Sequence, residues 1–120
     1  MKGINFLLLA FLFSCSHRDP MASHPIQGPL NARYESYRQC YLESEIYRGR
    51  KNPPPGQMEI EFVIKPDGKV STARIKESNM PKDPNFEVCV IGQIKAIHFP
   101  AVKTETHVSQ PINFLPVAPL

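Results

Sequence analysis

Glu59 and Glu61 come closest to an acid–base pair in this chain. On a strand they would share one face about 7 Å apart, a spacing that two cooperating carboxylates can use. Nothing supplies a nucleophile or a metal beside them, so a solvated strand face is the ordinary reading of the pair. The histidines His17, His24, His98 and His107 have no i, i+4 partner and no companion cysteine at zinc-ligand spacing. Ser78 and Ser109 have no neighbouring base. The sequence therefore assigns no catalytic residue, no metal site and no cofactor. An enzyme would need a pocket with a nucleophile or metal, and the expected class is non-enzymatic.

The cysteines carry more chemistry. There are 3, at Cys15, Cys40 and Cys89. Cys15 ends a segment with a positive start (Lys2), an apolar run from Ile4 to Phe13 and a small residue at Ser14. That is the layout of a secretory signal peptide. The run is about half of the roughly 20 residues that a membrane-spanning helix needs, which favours a cleaved signal over a permanent anchor. Leu12-Phe13-Ser14-Cys15 resembles the bacterial lipobox. The resemblance implies removal of residues 1–14, diacylation of Cys15 and anchoring of the mature chain to a membrane. Serine at position 16 implies outer-membrane sorting on the same resemblance. The alternative is an ordinary signal peptide that leaves Cys15 removed or unmodified.

An odd cysteine count in an exported protein calls for an explanation. Lipidation of Cys15 leaves Cys40 and Cys89 to pair in an oxidising compartment. The alternative is a pair of reduced core thiols. A bridge between them would contribute roughly 4 kcal/mol on the chain-entropy model.

The rest of the chain builds one small domain. Net charge is only +3, and Arg48, Arg50 and Lys51 form its one basic cluster. They fall where a first helix would end and suit its dipole, so no nucleic-acid partner is expected. Residues 15–30, with Pro20, Pro25 and Pro29, read as an anchor and flexible tether. The folded domain is expected over 31–115, with a short tail at 116–120.

Asn31 suits the N-cap of a helix from Ala32 to Tyr47, with Tyr34, Tyr37, Cys40, Tyr41 and Ser44 on one face. The four tyrosines read as core or boundary residues more readily than as a binding stripe. Gly49 and Pro53-Pro54-Pro55-Gly56 stop the helix. Gln57 to Lys65 alternates as a half-buried strand, with Met58, Ile60, Phe62 and Ile64 inward. Pro66-Asp67-Gly68 supplies a three-residue hairpin loop. Lys69 to Glu77 returns as a second strand whose inward residues Val70, Ala73 and Ile75 break strict alternation, so a bulge is expected. Asp83-Pro84 starts a second helix running to about Ile97, with Phe86, Val90, Ile94 and Ile97 as its stripe. Thr106 to Phe114 reads as a last strand, and Pro111 places it at a sheet edge or an irregularity. The order is α-β-β-α-β, an α+β two-layer domain with both helices on the one apolar sheet face.

Cys40-Tyr41-Leu42-Glu43, the strand–Pro-Asp-Gly-Lys-Val–strand unit over Met58 to Val70, Ser78 with Cys89-Val90, Ile97-His98-Phe99-Pro100 and Pro111-Ile112-Asn113-Phe114 occur in that order. Together they resemble the AgmX/PglI C-terminal domain, a relative of the TonB C-terminal domain. The resemblance covers about Ala32 to Leu115. It implies a three-stranded antiparallel sheet and a periplasmic protein-binding module. It also implies that an envelope partner adds a strand to the last strand, at Thr106, Val108, Gln110, Ile112 and Phe114. Pro111 removes one donor there, which limits the partner's register, blocks pairing, or guards the edge against aggregation. A homodimer or an envelope assembly subunit using the same edge is the variant reading.

Overall fold

The computed structural model describes residues 24–116. Residues 1–23, and with them Cys15 and His17, and residues 117–120 lie outside the described part.

The first helical region is three helices where the sequence suggests one. They are α1 (Gln27–Ala32), α2 (Tyr34–Leu42) and α3 (Glu45–Arg48). Ser44 makes the last break. Its backbone is extended at ψ 160, and its hydroxyl accepts from Tyr47 N while donating to Tyr41 O. It is an N-cap, not a helix-face residue. Asn31 does not cap a helix; it sits inside α1, accepting from Gln27 Nε2 at 2.9 Å. His24 Nδ1 serves the first turn instead, accepting from the backbone of Ile26 and Gln27 at 3.2 and 2.9 Å. Order therefore begins before position 31: α1 lies in the stretch read as tether, and its Leu30 is only 2% exposed.

The strands β1 (Gly56–Ile64) and β2 (Val70–Ser78) form an antiparallel hairpin. Its loop closes through Lys65 N to Lys69 O and Gly68 N to Lys65 O, both 2.8 Å, with Gly68 at φ 91. The expected bulging of β2 is present twice: the register with β1 passes over Lys76 and over Ser71. A second helix region, α4 (Pro84–Lys95), is followed by β3 (Thr106–Phe114), which pairs antiparallel with β1. The sheet order is β2-β1-β3.

Asp83 ties two helices together. One carboxylate oxygen accepts from Phe86 N to cap α4, and the other accepts from Glu45 N at the start of α3. The helices and the inward sheet face enclose the core. Met58, Ile60, Phe62 and Ile64 meet Phe86, Val90 and Ile94, all 2% exposed or less. Tyr41 packs among Tyr47, Phe86 and Phe114.

Two of the four tyrosines are buried with their hydroxyls in use. Tyr37 donates to Leu30 O and Tyr41 to Pro54 O. Burial pushes the Tyr37 hydroxyl up to about 12, against a smaller lowering by Arg33. Burial, then Tyr47, also raises Tyr41. A raised folded value means the neutral form is favoured by folding. The contribution is thus complete below the unfolded value of about 10 and is lost as pH rises through about 12, at up to ~1.4 kcal/mol per pH unit for Tyr37. Urea titrations between these limits should show falling stability, with a shallower fall in Tyr37→Phe. Equal slopes for the two proteins would refute the assignment.

Candidate functional site

Backbone direction decides which residues of an edge strand face outward. Gln57 turns both its groups toward β2: its N–H donates to Asn79 Oδ1 and its C=O accepts from Asn79 N. Lys65, eight residues on, donates to Lys69 O on the same side. Backbone groups alternate sides along a strand. Met58, Ile60, Phe62 and Ile64 therefore face β3, where they stand opposite Ile112, Gln110, Val108 and Thr106.

This relocates the expected docking residues. Thr106, Val108, Gln110, Ile112 and Phe114 spend their backbone groups on β1, and Ile112 and Phe114 have core side chains at 4% and 1% exposure. The outward set is His107, Ser109, Pro111 and Asn113, all with exposed side chains. In this strand the in-plane direction of the backbone and the up–down direction of the side chain alternate together. The even-numbered residues from Thr106 to Phe114 are therefore the inner set.

The two sheet edges differ. β2 carries two register shifts and the charged residues Arg74, Lys76 and Glu77, devices that deter strand addition. β3 pairs in unbroken register over 9 residues and contains no Asp, Glu, Lys or Arg. Its interruption is Pro111, which has no N–H and whose carbonyl accepts from Gln110 Nε2 at 3.0 Å. The outward donors are thus His107, Ser109 and Asn113, with a gap between the last two.

Beside this edge runs a groove between the helices and β3, lined by Leu30, Tyr34, Tyr37, Pro111, Ile112 and Leu115, together with the neutral Asn31, Gln110 and Asn113. Tyr34 and Leu115, 36% and 41% exposed, are two of the three exposed large apolar side chains among the described residues. Sequence patterning puts Tyr34 on the buried helix face and Leu30 in the tether. Leu30 comes from α1 and Tyr34 from the start of α2.

The residues screened for chemistry are dispersed. Glu59 accepts from Ser109 Oγ, while Glu61 is bridged to Arg74 and Lys76. His98 Nε2 lies 3.3 Å from Asp67 O, and His107 lies 3.6 Å from Glu105. Among the described residues no three His, Cys, Asp or Glu side chains are grouped to hold a metal. Cys40 in α2 and Cys89 in α4 stand at disulfide distance, with Cα atoms 5.8 Å apart.

No protein-family model matches the chain, and no curated protein matches it. Among solved structures, the chain resembles the solution structure of the Helicobacter pylori TonB C-terminal domain, at 20% identity and a TM-score of 0.55. The match covers 76% of this chain and 97% of that one. The chain thus shares the fold of a TonB C-terminal domain. Among the described residues no helix is long and apolar enough to cross a membrane.

Proposed function

We propose that this is a non-enzymatic, membrane-tethered protein-binding module of the bacterial periplasm, which engages an envelope partner by strand addition to the outer edge of β3. The observation that carries the reading is the edge itself: long, regular, uncharged, and flanked by an uncharged apolar groove. A partner strand would pair with His107, Ser109 and Asn113 and seat an apolar side chain against Tyr34 and Leu115. Pro111 sets its register by refusing one bond. The motif order quoted above supports the finer kinship with AgmX/PglI C-terminal domains, and the TonB-like fold supports a periplasmic role.

A photo-crosslinker at Asn113 should capture an envelope protein, and one at Arg74 on the opposite edge should not. His107→Lys with Ser109→Lys should abolish the Asn113 adduct without lowering the melting temperature. Equal capture at both edges would remove the reading.

The tether in this account is lipid on Cys15, with the anchored domain facing the periplasm from the outer membrane. The signal-like segment, the odd cysteine and Ser16 support it. Intact mass of the membrane-extracted protein should show acyl mass on a chain that begins at Cys15. An unmodified N-terminus there would refute it.

A further inference from the structure

Helix α4 is apolar on two sides. Phe86, Val90 and Ile94 face the core. A second stripe, Val88, Ile91 and Gly92, joins Ile75 of β2 to line an open groove whose ends are Glu87 and Lys95. Val88 is 71% exposed, the most exposed large apolar side chain among the described residues. A Cβ built on Gly92 meets nothing within 4 Å, so another backbone can approach closely there. Cys89, beside Val88 and facing Cys40 of α2, holds the rotation of α4 and directs this stripe away from the core.

We propose that a second copy of this chain covers the groove, through antiparallel α4–α4 pairing about a two-fold axis at Ile91. The charges are what single out this occupant. Glu87 precedes Ile91 by one helical turn and Lys95 follows it by one turn, so they are placed symmetrically about that residue. An antiparallel second helix brings its Lys95 over this Glu87 and its Glu87 over this Lys95. A two-fold interface must be self-complementary in this way. Within one chain the same two residues are about 12 Å apart along the helix and do not pair. Among the described residues the salt bridge that Glu87 makes is with exposed Lys82, at 3.7 Å. Ile91 would meet its own copy at the crossing, and Gly92 beside it is the small residue that admits ridges-into-grooves contact. β2 and β3 are opposite edges of the sheet. The pairing thus leaves the β3 edge open and does not rest on the strand-addition reading.

The test is sedimentation equilibrium of the full chain in density-matched detergent. The parent is expected to dimerise. Glu87→Lys and Lys95→Glu each place like charges in apposition twice per dimer, and each should weaken association about tenfold or more. The doubly exchanged protein, Glu87→Lys with Lys95→Glu, should recover the parental association. Recovery is the outcome that a merely structural role for either residue does not produce. Gly92→Gln supplies a check independent of charge: at a concentration where both proteins are monomeric it should melt no lower than the parent, and it should lose the dimer. A monomeric parent, a dimer unmoved by the single exchanges, or a double exchange that fails to recover would overturn the proposal. A dimer lost only on His107→Lys with Ser109→Lys would assign self-association to β3 and overturn it equally.

Discussion

Reducing Cys40 and Cys89 is expected to lower the stability of the domain by about 4 kcal/mol, the value for cross-linking residues 49 apart. For a domain of this size that corresponds to a fall in melting temperature on the order of 20 °C. The two residues sit in different helices, α2 and α4, which together roof the sheet. Cys40 is 3% exposed and packs within the core. Opening the link would let the denatured chain expand and would also remove the covalent tie between these two helices. Thermal melts with and without reductant, repeated on Cys40→Ala with Cys89→Ala, measure the loss. Identical melts would mean that the thiols are free in the native protein, and would argue against an oxidising compartment.

The second large effect is expected from one added methyl group. Gly68→Ala should cost about 3 kcal/mol or more, from two sources. Gly68 has φ 91, a region that a Cβ disfavours by roughly 1–2 kcal/mol. The new Cβ would also lie 1.9 Å from the backbone oxygen of Phe99, where no side chain can yield. This close approach has a structural purpose. Phe99 N donates to Gly68 O at 2.9 Å, and Val102 N donates to Pro66 O at 3.1 Å. The hairpin loop is thereby clasped to the segment that leads from α4 into β3, and Phe99 stacks on Phe62 of β1. Gly92→Ala is the contrast. It adds the same methyl to a helix position that no atom of the same chain crowds, and in the monomer should stabilise by about 1 kcal/mol. Denaturant titrations of both variants should therefore move in opposite directions. A Gly68→Ala protein as stable as the parent would mean that the loop is not clasped in this way.

What could be read from the residues follows the strength of local patterning. The alternation of Met58, Ile60, Phe62 and Ile64 points to the buried face of β1, since a one-residue slip would put all four in water. Asp83-Pro84 marks the start of α4 because the carboxylate and the proline each satisfy a need of a first helical turn. The turn at Pro66-Asp67-Gly68 was legible for the same reason. The break at Ser44 was not, because serine also tolerates a helix face and the apolar spacing continued through it. The helix at Gln27–Ala32 is hidden by its Gly28 and Pro29 and by a first turn served by His24, a residue outside the usual capping set. The candidate edge was legible as an element but not as a surface. Pro111 pointed to an edge strand, yet which backbone groups face outward depends on pairing with β1, and pairing is a tertiary fact. The groove beside it joins Leu30, Tyr34 and Leu115 from three separate segments. No periodicity within one segment could reveal it.

We propose that the outer backbone of β3, unpaired among the described residues, receives a strand. Amide hydrogen exchange in the purified full chain, alone and crosslinked to its captured partner, tests this most directly. In the free protein His107, Ser109 and Asn113 should exchange fast while Val108, Gln110 and Ile112 are protected, and the first three should become protected in the complex. Fast and slow amides in the opposite alternation, or no change at His107, Ser109 and Asn113 on binding, would contradict the account.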